Sequence, residues 1–166
     1  MMDLEKLNVA FRWEVCPSDR KSVRYIVELT GYFSHDEVDI ATELVGERLI
    51  RGDKSGYHFL LAETGGEVIG FSCFGPIPAT RCSFDLYWIV VHPDFQGQAL
   101  GRKLLMMSES QIRAAGGRQV YVETSARDQY ESTRRFYDAR GYKQIAILPD
   151  FYAPGDAKIM YVKILN

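Results

Sequence analysis

The chain has 166 residues, of which 46% are hydrophobic and 25% charged, with a net charge of −2 and a pI of about 5.9. These values are typical of one globular domain over residues 1–166, exclude a disordered chain, and give no reason to expect a nucleic-acid partner, which would favour a basic face. No apolar run reaches the roughly 18 residues of a membrane span, and three cysteines without a Cys-x-x-Cys pair favour free thiols, so we expect a cytoplasmic protein without a membrane partner.

The N-terminal third is predicted to contain one strand and two helices. Apolar and polar residues alternate over 9–15, which is the pattern of a strand. A helical stretch over 17–30 is expected to end at Gly31. Ser34 and Glu37 have the Ser-x-x-Glu spacing of a capping box, which predicts the start of a second helix.

The middle of the chain is predicted to form a hairpin followed by a β-α-β unit. Two strand-like runs, 57–63 and 67–74, are joined by Thr-Gly-Gly, which is a hairpin signal. A third strand, 83–91, ends in an apolar run that is typical of a central strand covered on both faces. A helix over 99–115 and a strand over 120–124 complete the unit.

The C-terminal part is predicted to add one helix and two strands. Asp128 and Glu131 have the spacing of a capping box for a helix that ends before Gly141. Strands are expected over 143–148 and 158–165, on either side of a loop rich in Pro, Gly and Asp. The order β-α-α-β-β-β-α-β-α-β-β predicts an α/β fold with a layered, mixed sheet of about seven strands and about four helices.

The short loop after the strand over 83–91 is the candidate ligand site. Gly97 and Gly101 let backbone N–H groups approach an anion closely, and the N-terminus of the next helix adds unpaired N–H donors. Arg102 and Lys103 add positive charge. These features predict a phosphate cradle, although the spacing fits neither a dinucleotide fingerprint nor a P-loop. A tight strand-to-helix turn without a ligand is the alternative.

Two segments resemble the motifs of a known enzyme family. Residues 96–101, Gln-Gly-Gln-Ala-Leu-Gly, follow a Val-x-Pro and resemble the pyrophosphate motif Gln/Arg-x-x-Gly/Ala-x-Gly/Ala of the GCN5-related N-acetyltransferases, the GNAT superfamily. Residues 136–142, Phe-Tyr-Asp-Ala-Arg-Gly-Tyr, are similar to that family's Phe/Leu-Tyr-x-x-x-Gly-Phe/Tyr segment. The order of predicted elements also matches over residues 9–165. The resemblance implies a mostly antiparallel central sheet and acetyl transfer from acetyl-CoA directly to a primary amine of a small molecule or peptide.

The resemblance also implies how coenzyme A is bound. Backbone N–H groups of residues 97–102 would hold the pyrophosphate, and the end of the preceding strand would pair with the pantetheine arm as an added strand does. Tyr130 stands where relatives often have an Asn that touches the cofactor. Ala99 replaces the commoner glycine, a change that the family tolerates because helical geometry is expected to begin there. The cofactor-binding residues predicted in this way are Ile89, Val90, Val91, Gln96, Gly97, Gln98, Ala99, Leu100, Gly101, Arg102 and Tyr130.

The same resemblance assigns catalytic roles to two side chains. Tyr137 is the tyrosine of the second motif, and a phenol with a pKa of about 10 can give its proton to a departing thiolate. Asp85 lies six residues before Val91, where many relatives have a glutamate base, and would either take the amine's proton through a water or hold the ammonium. A backbone N–H near Val91 would stabilise the carbonyl oxygen. Glu123 is the second carboxylate candidate, and bulk water is the alternative base. A surface or hydrogen-bonded carboxylate is the alternative for Asp85, and a packed aromatic residue is the alternative for Tyr137.

Two aromatic pairs are the candidates for acceptor selection. Tyr32 and Phe33 follow the first predicted helix, and Phe151 and Tyr152 lie in the predicted C-terminal loop beside two aspartates that suit an amine. Loops on a rigid scaffold commonly form binding walls, although a turn with a purely structural role is equally compatible with the second pair. With Glu123, these four residues are the predicted substrate-binding set.

Other properties are expected more generally. His35, His58 and His92 show no metal-ligand spacing, so no metal is expected. A homodimer is compatible with the resemblance, since related enzymes often form dimers. A non-catalytic acyl-CoA-binding module is the alternative to an enzyme. An unrelated nucleotide-binding protein is a third hypothesis, which requires NAD or ATP to bind in preference to coenzyme A.

Overall fold

The structure is a computed structural model that describes residues 8–166. The strands in this range are β1 (Ala10–Arg12), β2 (His58–Thr64), β3 (Glu67–Pro76), β4 (Ser83–Val91), β5 (Gln119–Ser125), β6 (Lys143–Ala153) and β7 (Asp156–Ile164). The α-helices are α1 (Asp19–Thr30), α2 (His35–Arg51), α3 (Leu100–Ala114) and α4 (Glu131–Asp138). The strands form one sheet in the order β1-β2-β3-β4-β5-β7-β6, with β4 and β5 parallel and most other neighbours antiparallel. The predicted fold class and element order are confirmed.

The chain divides into two compact units. The first contains the described residues up to Gly75 together with Trp88–Gln111, and the second contains Pro76–Tyr87 with Ile112–Asn166. That residues 1–166 form a single domain stays a prediction. Across residues 8–166, no helix is both long and apolar enough to cross a membrane.

The core of the first unit has helices on both faces of its strands. Successive side chains of a strand point to opposite faces, so β2 contributes Phe59 and Leu61 to one cluster and Leu60 and Ala62 to another. The first cluster is completed by the apolar faces of α1 and α2, and the second by Leu100 and Leu104 of α3. The two clusters hold β3 and the end of β4 between layers of helix.

An ion-pair network joins three elements of the first unit. The Arg12 guanidinium donates to both carboxylate oxygens of Asp19, at 2.8 and 2.6 Å, and to Glu63 Oε1 at 2.7 Å. Asp19 begins α1 and its side chain is only 1% exposed. Burial raises the pKa of Asp19, but the hydrogen bonds from Arg12 and from the Cys16 N–H outweigh it, so the pKa lies below its ordinary value.

Helix ends in the first unit follow the sequence signals. The predicted capping box forms, because Ser34 Oγ accepts the Glu37 N–H at 3.3 Å and Glu37 Oε2 accepts the Ser34 N–H at 2.7 Å. Gly31 ends α1 with φ +69°, in the left-handed region where glycine has no Cβ clash. Both predictions are confirmed.

The second unit is built on β7, which lies between β5 and β6. The β5–β7 ladder runs from Gln119↔Ile164 to Ser125↔Lys158 without a register shift. The side chain of Tyr161 therefore points to one face of β7, where Tyr137 of α4 packs, and that of Lys158 points to the opposite face. The parallel ladder between β4 and β5 covers residues 83–85 and 119–121.

Three local predictions are wrong. The first strand is only Ala10–Arg12 instead of 9–15, because Arg12 binds the Glu14 carbonyl at 2.5 Å and Asp19, which ends the run. The C-terminal loop is mostly strand, since β6 continues to Ala153 across a register shift that Asp150 absorbs with φ +54°.

The third error concerns the start of α4. The chain first forms a 3-10 turn over Asp128–Tyr130, and the α-helix begins only at Glu131. Tyr130 is the residue before the helix and makes no side-chain cap, so the predicted box of Asp128 and Glu131 does not form. Spacing alone did not distinguish a 3-10 entry from a direct helix start.

Candidate active site

β4 leads directly into a loop that the first unit holds in place. The His92 N–H donates to the Ile69 carbonyl of β3 at 2.9 Å. A 3-10 turn, Pro93–Phe95, follows, and the Asp94 N–H donates to His92 Nδ1 at 3.2 Å. The imidazole packs edge-on against the Phe95 ring, with centroids 5.6 Å apart. His92 is therefore a structural residue of this loop.

Two glutamine side chains fold back onto the same loop. Gln96 Nε2 donates to the Val91 carbonyl at 3.0 Å, and Gln98 Nε2 donates to the Asp94 carbonyl at 3.1 Å. The Gln98 Oε1 atom is buried, and no described residue donates to it. Between them, Gly97 has φ +73°. The glutamines of the predicted motif therefore bind the loop's own backbone and fix its shape.

Six consecutive backbone N–H groups, those of residues 97–102, donate to no acceptor within the part of the chain that the structure describes. The first i→i−4 bond of α3 joins the Lys103 N–H to the Ala99 carbonyl at 3.0 Å, so the earlier N–H groups are unpaired, as at any helix N-terminus. Arg102 and Lys103 add two positive charges in the same turn. Unpaired donors at the positive end of a helix dipole suit a phosphate.

Ala99 does not begin the helix, contrary to the prediction. It has φ +63°, and α3 begins at Leu100. Its carbonyl accepts the first helical bond, so Ala99 is the N-cap in a left-handed conformation. This conformation costs a residue with a Cβ about 1–2 kcal/mol, which explains why glycine is the commoner residue of the motif.

The last residues of β4 are packed on both faces. Val90 is 4% exposed and lies in the cluster with α1 and α2, whereas Ile89 and Val91 pack on the cluster with α3. Gly70 of β3 lets the strands approach closely, because a Cβ there would lie 3.1 Å from the Val90 carbonyl oxygen. The strand that leads into the loop is therefore held rigidly.

Tyr137 is buried in an aromatic cluster of the second unit. It is 4% exposed, and its ring centroid lies 5.3 Å from that of Phe136, 5.2 Å from Tyr142 and 6.2 Å from Tyr161. No described residue hydrogen-bonds its hydroxyl. Burial raises the pKa of Tyr137 above its ordinary value, so the phenol keeps its proton at neutral pH. Its chemistry suits a proton donor.

Tyr130 ends the 3-10 turn that precedes α4. It is 8% exposed, and the Arg127 guanidinium carbon lies 5.6 Å from its ring centroid. A buried ring replaces the amide that the family often has at this position. Its predicted contact with the cofactor stays a prediction.

A charged cluster occupies the face of the second unit opposite Tyr137. Lys158 of β7 pairs with the Glu123 carboxylate of β5, and its side chain is only 12% exposed. Asp85 of β4 is half-buried and has no hydrogen-bond or ion-pair partner among the described residues. Burial raises the pKa of Asp85, Glu123 raises it further, and Lys158 opposes these effects. Asp85 is thus a better base than an exposed aspartate.

The predicted aromatic pair lies beside the same cluster, on strand β6. The Lys158 Nζ atom is 3.7 Å from the Phe151 ring centroid and 5.9 Å from that of Tyr152. Both rings are about half exposed. Sequence reasoning missed Lys158, because strand alternation indicates a residue's face but not which residues of the neighbouring strands lie beside it.

The two aspartates of this segment accept hydrogen bonds within the fold, and their predicted role toward an amine stays a prediction. Asp150 Oδ1 accepts the Gly155 N–H at 2.7 Å and tightens the β6–β7 turn. Asp156 is 7% exposed and is bound by Ser125 Oγ at 2.5 Å and by Arg127 Nε at 3.1 Å. The Asp156 carboxylate is therefore engaged within the fold, whereas Asp150 is exposed and uses one oxygen for the turn.

The N-terminal aromatic pair divides between core and surface. The Phe33 ring packs edge-on against Trp88 at a centroid distance of 5.0 Å and joins the cluster of α1 and α2. Tyr32 is 41% exposed. Of the two, Tyr32 is the residue that an acceptor can reach without repacking the core.

The described residues contain no group of three or more His, Cys, Asp or Glu side chains placed to hold a metal ion. The predicted site residues are divided between the two compact units. In the first unit these are the loop and the strand that leads into it, and in the second they are Tyr137 on one face and Asp85, Glu123, Phe151 and Tyr152 on the other.

Comparison with known proteins decides the family. A profile of the acetyltransferase (GNAT) domain matches residues 55–144. A crystal structure from Desulfovibrio desulfuricans, assigned to the GNAT family of acetyltransferases, is 46% identical to this chain with a TM-score of 0.92, and the alignment covers 94% of this chain and 98% of that one. The chain belongs to the GNAT family. The family predicted from the two motifs is confirmed.

Two further GNAT structures share the fold at low identity. The ribosomal-protein-S18-alanine N-acetyltransferase of Escherichia coli is 17% identical with a TM-score of 0.76, over 95% of this chain and 94% of that chain. The PaiA N-acetyltransferase of Thermoplasma acidophilum, in complex with coenzyme A, is 16% identical with a TM-score of 0.71, over 96% of this chain and 100% of that chain. At such identities, the likeness shows the GNAT fold alone.

Proposed function

We propose that this GNAT protein transfers an acetyl group from acetyl-CoA directly to a primary amine of a small molecule or peptide. Membership of the family supports acetyl transfer in general. The observation that carries the proposal is the run of unpaired N–H groups over residues 97–102, because it fits the pyrophosphate of coenzyme A.

Coenzyme A fits the residues that surround this run. The space beside Gly97 is open, because a Cβ there would have no neighbour within 4 Å. Arg102 adds positive charge to the same loop. The backbone of 89–91 would align with the pantetheine arm as an added strand does. GNAT relatives crystallised with coenzyme A or acetyl-CoA support this assignment. When bound, acetyl-CoA supplies an activated acyl group and a thiolate leaving group.

Three functions then fall to residues of this chain. The pKa of Asp85 is raised toward neutral pH, which makes it a stronger base. Asp85 holds the ammonium or accepts its proton through a water. A backbone N–H near Val91 stabilises the carbonyl oxygen as negative charge develops. Tyr137 keeps its proton until the thiolate leaves and then donates it. Holding amine and thioester together supplies a further part of the rate.

The division of the second unit into two faces supports direct transfer. Tyr137 packs on one face of β7, and Asp85, Glu123 and Lys158 are grouped on the other. The amine would then attack the carbonyl carbon from the side of Asp85, and the thiolate released when the C–S bond breaks would take a proton from Tyr137.

Release of coenzyme A is the test of this function. Purified protein with acetyl-CoA is expected to release free thiol when primary amines or peptides are added, and to form the N-acetyl product by mass spectrometry. Binding of acetyl-CoA without thiol release for any amine would instead indicate a non-catalytic acyl-CoA-binding module. Preference for NAD or ATP would contradict both hypotheses.

Three broader expectations remain proposals. We expect the two compact units to act as one acetyltransferase domain, since the Desulfovibrio desulfuricans structure aligns with 94% of the chain. We also expect a cytoplasmic protein, because its three cysteines are free thiols. A homodimer is the third expectation, to be checked by light scattering.

A further inference from the structure

An ammonium of the chain itself already occupies the aromatic wall of the proposed acceptor site. Lys158 extends from β7 until its Nζ lies 3.7 Å from the Phe151 ring centroid. Its side chain is 12% exposed, whereas the two rings beside it are 51% and 47% exposed. An ammonium over an aromatic face is attracted to the negative side of the ring. The rings therefore cover a cation that belongs to the fold.

The same ammonium also neutralises one of the two carboxylates. Lys158 pairs with Glu123, and Asp85 is left without an ion pair or hydrogen bond among residues 8–166. With both carboxylates ionised, the three side chains together carry one negative charge. That residual charge balances one ammonium at Asp85 and no more.

We propose that Lys158 determines acceptor specificity by occupying the cation position between Glu123 and Phe151 that the second ammonium of a diamine would otherwise take. The acceptor of this protein is then an amine with a single positive charge. This inference rests on the proposed function, because it takes Asp85 as the residue that receives the reacting amine.

The physical basis is exclusion by like charge at an occupied position. A diamine that binds Asp85 through one end brings its other ammonium toward Lys158, where the two cations repel each other and compete for one carboxylate and one ring. A monoamine of the same length places only a methyl group there, and that group packs against the exposed rings. Removing the Lys158 charge would free both Glu123 and the aromatic faces for the second ammonium.

The test compares 1,4-diaminobutane with pentylamine, in which a methyl group replaces the second ammonium, in wild type and in Lys158→Met. Dissociation constants are measured by calorimetric titration of each amine into the protein, with and without coenzyme A. The substitution is expected to tighten diaminobutane binding by about tenfold and to change pentylamine binding far less. Equal diaminobutane affinity in wild type and Lys158→Met would overturn the inference.

Two further variants distinguish the position of the charge from its presence. Lys158→Arg keeps a cation that can pair with Glu123 and stack on Phe151, so it should retain the wild-type discrimination. Lys143→Met removes the same charge from an exposed position at the other end of β6, and should leave both affinities unchanged. An equal gain in Lys143→Met would show a general charge effect and would also overturn the inference. Lys158→Gln repeats the measurement if the methionine variant does not fold.

Failure of this inference and failure of the proposed function give different results. The affinity ratio of the two amines is read from binding and does not depend on turnover. The predicted ratio without coenzyme A release would support the role of Lys158 and contradict the enzyme assignment. Coenzyme A release from monoamines, with an unchanged ratio in Lys158→Met, would support the enzyme and contradict the role of Lys158.

Discussion

The Ala99 carbonyl accepts the Lys103 N–H at 3.0 Å, so α3 is capped by an alanine with φ +63°. Because Ala99 belongs to the predicted phosphate cradle, its backbone conformation affects both the shape of the cradle and the stability of the chain. Ala99→Gly should raise the free energy of unfolding by up to about 1 kcal/mol, because glycine adopts the left-handed conformation without a Cβ clash. Urea denaturation measures this change. Ala114→Gly, in the last turn of the same helix, should lower stability instead. A loss in both variants would contradict left-handed strain at Ala99.

Much of the cradle could be predicted from sequence, because strand, loop and helix are adjacent in the chain. The positions of Gly97, Gly101 and α3 follow from local signals. The left-handed Ala99 could not be predicted, since backbone conformation at a helix entry depends on how the loop is anchored by Gln96 and Gln98. A motif indicates which residues are present but not the dihedral angles they adopt.

The acceptor side was less predictable, because it depends on pairing between distant strands. Composition singles out Phe151 and Tyr152, whose role toward an acceptor stays a prediction, but the predicted strand ends at residue 148, before both of them. The partner of Glu123 depends on the register of β5 against β7, which no local pattern specifies. The sequence therefore predicts the two carboxylates as candidates but not the ammonium that pairs with Glu123.

Asp85→Asn should separate activity from stability. Turnover should fall, because an amide cannot accept a proton or balance an ammonium. Burial, with Glu123, raises the pKa of Asp85, so the folded state binds a proton more tightly than the unfolded state and stability decreases as pH rises through this pKa. The asparagine variant should therefore be as stable as wild type or more stable at pH 7. Urea denaturation of both proteins at pH 4 and pH 7 measures the difference in their free energies of unfolding.

The control for this prediction is the other carboxylate. Glu123→Gln leaves the nearly buried Lys158 ammonium without its anionic partner and should destabilise the fold. If Asp85→Asn also destabilises at pH 7, Asp85 has a structural partner and is not a free base.

Tyr137→Phe should reduce kcat by about a hundredfold, which is a typical rate loss when a general acid is removed. The affinity for acetyl-CoA should change little. The ring contacts with Tyr142 and Tyr161 remain, so the thermal midpoint should hardly change. Because burial raises the pKa of Tyr137, the wild-type rate should not decline through tyrosine ionisation at pH values up to about 10. Equal kcat values would remove Tyr137 as the acid.

Arg12→Met should destabilise the first unit by about 3 kcal/mol, because it leaves the buried Asp19 carboxylate without its cation. Because the pKa of Asp19 is lowered in the folded state, its ion pair stabilises wild type at pH values above the ordinary pKa of about 4. This stabilisation is lost as the pH falls through the lowered pKa of the folded state. Urea denaturation at pH 7 and pH 3 should show this loss in wild type and a weaker dependence in the variant. Arg24→Met, which removes exposed ion pairs, should change little.

The most direct test of the cradle is a calorimetric titration with acetyl-CoA of wild type, Gly101→Glu and Gly101→Ala, with NAD and ATP as control ligands. Glutamate in the first turn suits the helix dipole, so the fold is kept, but its charge and volume oppose a pyrophosphate at the N–H groups of residues 97–102. We predict micromolar binding of acetyl-CoA alone to wild type, a smaller loss in Gly101→Ala, and no measurable binding to a folded Gly101→Glu. Unchanged affinity in Gly101→Glu, or no binding of acetyl-CoA to wild type, would contradict the account.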